Sequence, residues 1–435
     1  MKRTSFVLIP VLVLGAGAAG WWTFRPRGGA EPPPARAPVE GFTAEELERV
    51  FQHSPLGAPP ADPTNAVFEN PKAARLGQRI FYDPRFSREG SVSCATCHRP
   101  SLGFGDGAPL PKEFPVERNV PTLWNVAFNR WFFWDGRADS LWAQALKPLE
   151  NPREHAGTRL QYVHLLRRDP VLKSAYEEVF GPMPELGDPA RFPAAGGPFA
   201  LPEGSPLRSA WAAMQEEDRA AVNRVFANLG KSIAAYERNL VTRRSPFDVF
   251  VEGLRSGDPA KLAALSPEAR LGLKLFVGRA NCRLCHTGPN FSDGEFHNIG
   301  IPPSLGGLTP DRFAAIDEVR RDEFNTRGPY SDDRPLGEKK LDYLVKLQDA
   351  WGQIKTPGLR NVARTAPYMH QGQFKTLPEV VRFYSTLQGM VQAGHHERAI
   401  LTPLGLTAHE STALVAFLES LTDEKIDEAL LKPLP

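Results

Sequence analysis

Along most of the chain the apolar positions recur every three or four residues rather than every second one, which predicts helices. Thr43, Glu45 and Glu46 ahead of Leu47 have the pattern of a capped helix start. Ala74, Leu76, Ile80 and Phe81 fall near helical spacing, and Asp83-Pro84 breaks the run. Residues 159–180 and 216–237 are helical in pattern, whereas 187–206, rich in Pro, Gly and Ala, reads as a loop. One lead-in occurs twice. Ala74-Arg75-Leu76-Gly77 followed by Ile80-Phe81 returns as Ala269-Arg270-Leu271-Gly272 followed by Leu275-Phe276, so an internal repeat of one helical unit is expected. Residues 309–344, long, charged and irregular, are expected to form a surface insertion in the second unit. No strand-rich stretch appears.

Each lead-in runs into a cysteine pair. Cys94-Ala95-Thr96-Cys97-His98 and Cys282-Arg283-Leu284-Cys285-His286 have the spacing of c-type haem attachment, in which two thiols add across the vinyl groups and the next imidazole becomes an axial ligand. The two motifs use all 4 cysteines of the chain. A zinc ribbon would bring its two halves within about 15–20 residues of each other. A redox dithiol would need a βαβ setting, and neither it nor a disulfide explains the histidine after both pairs. The expected fold class is therefore mostly α: two cytochrome c-like helical haem domains in tandem, at 43–250 and 251–435, with two covalently bound haem c groups.

Composition adds limits. Pro 42 and Gly 37 suit short helices joined by many loops. Lys+Arg 52 against Asp+Glu 50 is nearly balanced and gives no reason to expect nucleic acid as a partner. Lys2 and Arg3 precede an apolar run over 6–19 that has the form of a secretory signal, with small residues at Ala16, Ala18 and Ala19. Residues 1–24 are read as a signal peptide or membrane anchor and 25–42 as a Pro-rich linker, which implies a periplasmic protein, free or tethered to the inner membrane.

Between and after the motifs lie Arg118-Asn119-Val120-Pro121-Thr122, Phe133-Trp134-Asp135-Gly136-Arg137-Ala138, Thr356-Pro357-Gly358-Leu359-Arg360-Asn361 and Thr365-Ala366-Pro367-Tyr368-Met369-His370-Gln371-Gly372. With both haem motifs, these make the chain resemble the bacterial dihaem cytochrome c peroxidases and their MauG-type relatives from about residue 74 to 422. The resemblance implies roles. The haem on His98 would be the peroxide-reacting one, with Glu154 as distal carboxylate and Gln144 and Pro148 lining its pocket. Trp134 would lie between the haems. Asn119, Thr365 and Pro367 fall where the family binds a calcium ion, and the family commonly forms a homodimer. His286 would ligate the second haem. The family's opposite ligand lies 14 residues after His370, where peroxidases carry methionine and this chain has Tyr384, the mark of the MauG type. Met390 is the competing donor. A phenolate would lower the potential of that haem, and a thioether would raise it. No histidine separates His98 from His155, so the first haem is expected to be five-coordinate; His155 itself is read as solvent-facing. His297, His370 and the pair His395-His396 are read as hydrogen-bonding or surface residues.

The function expected is reduction of hydrogen peroxide with electrons from a small cytochrome c or cupredoxin. The alternatives are a MauG-type enzyme that oxidises residues of a partner protein, and a non-enzymatic dihaem electron carrier.

Overall fold

The computed structural model describes residues 41–110, 117–199, 202–304, 309–391, 401–423 and 425–435. The expected signal or anchor, nearly all of the 25–42 linker and His395-His396 lie outside the described residues. Among the described residues no helix is long and apolar enough to cross a membrane.

Helices dominate, as the periodicity predicts. The first half holds α1 (Ala44–Phe51), α2 (Pro71–Tyr82), the one-turn α3 (Cys94–Cys97), α4 (Leu141–Glu150), α5 (Arg159–Arg168), α6 (Pro170–Phe180), α7 (Pro206–Ala213) and α8 (Glu216–Glu237). The second holds α9 (Pro246–Ser256), α10 (Pro259–Leu262), α11 (Pro267–Val277), α12 (Arg312–Arg321), α13 (Arg334–Asp342), α14 (Leu377–Thr386) and α15 (Ala408–Glu419). The one sheet among the described residues is an antiparallel pair, β1 (Phe296–His297) with β2 (Ile354–Lys355). Local chemistry sets the helix starts. Thr43 and Glu46 cap α1 reciprocally, Glu46 N–H to Thr43 Oγ1 at 3.2 Å and Thr43 N–H to Glu46 Oε2 at 2.8 Å. Asn70, Ser245 and Ser266 cap α2, α9 and α11, each with proline at the first helical position.

The repeated lead-in makes the same joint twice. A Cβ on Gly77 of α2 would stand 1.9 Å from the carbonyl oxygen of Ser232 in α8, and one on Gly272 of α11 would stand 1.9 Å from that of Ala413 in α15. Both glycines let two backbones touch where the helices cross. One turn on, Phe81 meets Tyr236 with ring centroids 5.1 Å apart and planes at 54°, and Phe276 meets Phe417 at 5.0 Å and 54°. These rings are buried, and each contributes roughly 1.5–3 kcal/mol of apolar transfer.

The tandem order along the chain is not kept in space. His53, just past α1, stacks its ring 4.9 Å from Phe291 and approaches the carbonyl of His286 at 3.1 Å, so the start of the described chain belongs with the second motif. The C-terminal residues lie on the first half, where Tyr236 Oη donates to Leu430 O at 2.6 Å and Gln78 Nε2 to Ala429 O at 2.7 Å. The 250/251 boundary falls inside α9, whose Asp248 grips Arg360 through two bonds of 2.8 and 2.9 Å.

Residues 309–344 are not a surface insertion on the second half. They form α12 and α13, and Phe324 and Tyr330 join the apolar core of the first half. The charges that make the segment look solvated are partners of buried groups. Glu323 pairs with the fully buried Arg159 at 2.6 Å, Asp332 with buried Lys231 at 2.7 Å, and Thr326 Oγ1 donates to buried Asp139 at 2.5 Å. A buried cation needs such a partner, so polarity here marks contact rather than exposure.

Candidate active site

Both cysteine pairs sit in short turns, and all four thiols are free of disulfides. The following histidine is held the same way each time. Nδ1 of His98 donates to the carbonyl of Phe104 at 2.9 Å, and Nδ1 of His286 to that of Phe291 at 3.0 Å. A carbonyl only accepts, so Nδ1 carries the proton and Nε2 keeps its lone pair, the tautomer an iron requires. Phe104 (φ 59°) and Phe291 (φ 54°) both turn through the left-handed region, with their rings fully buried. Burial pushes both imidazoles below their ordinary pKa and keeps them neutral.

The correspondence continues beyond the motifs. Asn125 and Asn361, both left-handed (φ 58° and 62°), each donate Nδ2 to the same Thr242 Oγ1 at 2.9 Å. Next comes the same turn in each half, closed by bridges Phe132–Ala138 and Tyr368–Phe374, with positive φ at Phe133 and Met369 and at Gly136 and Gly372. Gly136 is required, since a Cβ there would meet the Phe296 ring at 2.3 Å. Trp134 and His370 thus occupy equivalent positions, and Ser140 and Thr376 cap the equivalent helices α4 and α14. Counting 14 residues on from Trp134 and from His370 reaches Pro148 in one half and Tyr384 in the other. The equal offset of 14 residues, which pairs Pro148 with Tyr384, is the signal of this correspondence in the sequence.

A cavity of about 490 Å³ surrounds the second motif, and Cys282, Cys285, His286, Trp134 and Tyr384 line it. Met390 lies against Gly300, whose added Cβ would meet its Cγ at 2.4 Å. Burial pushes the Tyr384 phenol up, so without a cation beside it the hydroxyl keeps its proton. Trp134 donates its indole N–H to the carbonyl of Asn119 at 2.8 Å, and its own carbonyl accepts from Lys355 N–H at 2.8 Å. Asn119, Thr365 and Pro367 share this cavity's wall. Asn119 turns its side-chain N–H to Ala108 O at 2.8 Å and Thr365 its hydroxyl to Val362 O at 3.1 Å. His370 lines the same cavity, its pKa lowered to about 4 by burial and by Arg118. His297 pairs with Asp293 at 2.7 Å, which holds it protonated with a pKa raised to about 10.

The Trp134 turn also carries Arg137, which acts on Glu154, and Glu154 in turn bears on the first motif. Gln144 and Pro148 stand one turn apart on α4, and Gln144 Oε1 is buried without a hydrogen-bond partner among the described residues. Residues 151–157 fold back on the end of α4 through His155 N–H to Pro148 O at 3.2 Å and Gly157 N–H to Leu149 O at 3.1 Å, which sets Glu154 beside Pro148. Glu154 accepts from Asn151 Nδ2 at 2.5 Å and is close enough to Cys94 to bear on its thiol. Burial raises the Glu154 carboxyl above its ordinary range, opposed by Arg137, which stacks 3.6 Å over Phe133 and pairs with Asp135 at 3.0 Å. His155 is not solvent-facing. It is buried, with Nδ1 donating to Phe86 O at 2.6 Å, because the fold-back that presents Glu154 turns its neighbour inward.

The sequence profile described as Di-haem cytochrome c peroxidase matches residues 71–256. Cytochrome-c peroxidase IdrP1 of Denitromonas iodatirespirans is 34% identical over 378 residues, covering 85% of this chain and 86% of that protein. The chain belongs to the di-haem cytochrome c peroxidase family. Methylamine utilization protein MauG of Methylorubrum extorquens, a relative at 30% identity over 360 residues, covers 81% of this chain and 79% of its own. The diheme peroxidase BthA of Burkholderia thailandensis shares the fold, with a TM-score of 0.58 and 24% identity over 86% of this chain and 91% of its own. A MauG-like protein associated with microbial copper homeostasis does so too, with a TM-score of 0.58 and 24% identity over 87% and 96%. Family membership makes the chain a peroxidase-type oxidoreductase and implies two haem c groups. The residues present fit them: two pairs of thiols outside any disulfide, two imidazoles each with Nδ1 bonded to a carbonyl, a cavity at the second motif in the 300–1,000 Å³ range of ligand sites and the buried Gln144 amide oxygen, without a hydrogen-bond partner among the described residues.

Proposed function

We propose that the protein works outside the cytoplasm and reduces hydrogen peroxide to water at a first haem held by Cys94, Cys97 and His98. Electrons would arrive one at a time, from a small cytochrome c or cupredoxin, through a second haem held by Cys282, Cys285, His286 and Tyr384. The observation that carries this reading is the pairing of Pro148 with Tyr384. At matched positions one half offers a phenol oxygen able to ligate iron, and the other offers a side chain with no donor atom. One centre is thereby closed and the other left open to an oxidant.

When bound, the haems supply electron transfer at iron. The chain supplies the rest. Glu154, ionised, takes the proton from the near oxygen of the peroxide and returns it to the far one, so that the O–O bond breaks with water as leaving group. The turnover balances as one peroxide, two electrons and two protons giving two waters. Gln144 Oε1 would accept from the peroxide and orient it, while Pro148, whose side chain has no donor atom, would leave the place of the peroxide free. Trp134, fixed by Asn119, spans from the Glu154 side to the second cavity. A calcium ion at Asn119, Thr365 and Pro367 would stiffen that same anchor.

In a steady-state assay, reduced cytochrome c is expected to be oxidised continuously on addition of peroxide, with two equivalents consumed per peroxide. Tyr384 favours a second reading, in which the oxidising equivalents are spent on residues of a partner protein. That reading wins if cytochrome c is not turned over although both haems respond to peroxide. Tyr384→Met is expected to raise the midpoint potential of the second haem, measured by spectroelectrochemistry; an unchanged potential and spectrum would remove Tyr384 as ligand.

A further inference from the structure

The two halves match closely enough to be compared residue by residue, and one buried position breaks the match chemically. The crossings at Ser232 and Ala413 align α8 with α15, and the ring pairs Phe81–Tyr236 and Phe276–Phe417 confirm the alignment. The next residue is Glu237 in the first half and Leu418 in the second. Leu418 lines the cavity of the second motif. Glu237 is 4% exposed, bears on the thiol of Cys94, and its Oε2 is buried with no hydrogen-bond partner among the described residues. Folded chains seldom leave a carboxyl desolvated and unpaired, because it costs free energy that an apolar residue would not. The second half shows that leucine serves this position structurally.

We propose that Glu237 is a protonated carboxylic acid facing the first haem, and that it releases its proton when that centre loses an electron and recovers it when the electron returns. The inference rests on the reading that Cys94, Cys97 and His98 hold a haem. Each oxidation sends one electron to the oxidant and one proton from the carboxyl to water, so the net charge of the closed pocket is unchanged. A low-dielectric site resists charge change, which makes the compensation effective.

The ionisable groups around Glu237 leave this role to it. From α3 it faces Cys94, a neutral thioether once haem is attached; on its own helix Tyr236 is bonded towards Tyr82 of α2 and the Leu430 carbonyl. Glu154 bears on Cys94 as well. On α4 and α5, Lys147 is paired with Glu318 and Asp322, and Arg159 with Glu150 and Glu323. Burial alone lifts the Glu237 carboxyl to about 8.

The test is a spectroelectrochemical titration of the holoenzyme from pH 6 to 9.5, following each haem separately, with haem content measured on the same samples. In the natural protein the midpoint of the first haem should fall as pH rises, approaching the one-proton, one-electron slope of about 59 mV for each tenfold change in proton concentration. Glu237→Gln, which keeps shape and neutrality, should flatten that slope and hold the potential at its acid value. Glu237→Leu, the residue of the second half, should do the same and guards against a folding defect peculiar to Gln. The second haem should titrate identically in all three. A slope shared by the natural protein and both variants, or one absent from the natural protein, overturns the inference. A preparation carrying haem only on the second motif overturns the underlying haem assignment with it.

Discussion

Glu154→Gln is expected to slow the reaction with hydrogen peroxide by about 10²–10⁴-fold, the usual contribution of a positioned acid–base group, while both haems stay attached. Gln preserves the volume at the end of the 151–157 fold-back, and its amide oxygen can still accept from Asn151. What it loses is the ability to take a proton. The pH dependence tests the same atom in another way. Burial raises the Glu154 carboxyl above the ordinary range of a glutamate, so the proton-accepting anion is lost as pH falls through a value higher than an exposed glutamate would show. The acid limb of the peroxide reaction should report that raised value. Arg137→Leu removes the cation that favours the anion and should move the limb to higher pH. Stopped-flow mixing of the ferric protein with peroxide across pH 4–8 measures all three proteins, and an unaltered rate in Glu154→Gln would remove Glu154 from the chemistry.

Gly272→Ala is expected to be strongly damaging for a change of one methyl group. The new carbon would stand 1.9 Å from Ala413 O, 2.6 Å from its carbonyl carbon and 2.8 Å from Phe417 Cβ, and none of these is the free end of a flexible side chain. The crossing of α11 and α15 must open, which pulls Phe417 from Phe276 and disturbs the wall of the second cavity. Overpacking of this kind costs roughly 1–3 kcal/mol or more. Thermal unfolding should drop by several degrees, with the spectrum of the second haem disturbed before that of the first. Gly77→Ala should show the mirror pattern, because its Cβ would stand 1.9 Å from Ser232 O. Gly57→Ala, where nothing lies within 4 Å, is the control and should change stability by less than about 0.5 kcal/mol. Equal melting of all three variants would mean that neither crossing stabilises its own half.

Polarity in the sequence is not a measure of exposure in this chain. In residues 309–344 the acids Glu323 and Asp332 are the counter-charges of Arg159 and Lys231, which lie on distant helices, and no local pattern reveals a partner about a hundred or more residues away. The burial of His155 has a related cause. Periodicity says nothing about a seven-residue fold-back, whose backbone bonds to Pro148 and Leu149 decide which side chains turn inward. The exchange of chain ends, with His53 beside Phe291 and Leu430 beside Tyr236, is equally invisible to a linear division of the chain.

The sequence by itself determined the chemistry that is local: helices from apolar spacing, their starts from caps and prolines, two haem-attachment motifs from four cysteines and two histidines, and the family from the motifs between them. Each of these depends on residues within a few positions of one another, so distance along the chain measures distance in space. Only the tertiary structure decided what depends on long-range contact: that Gly77 and Gly272 make the same joint, that Trp134 lines the second cavity while Glu154 bears on Cys94, and that Glu237 Oε2 stands unpaired among the described residues where its counterpart is Leu418. Burial and pairing are properties of the folded whole, and they fix which carboxyl holds a proton.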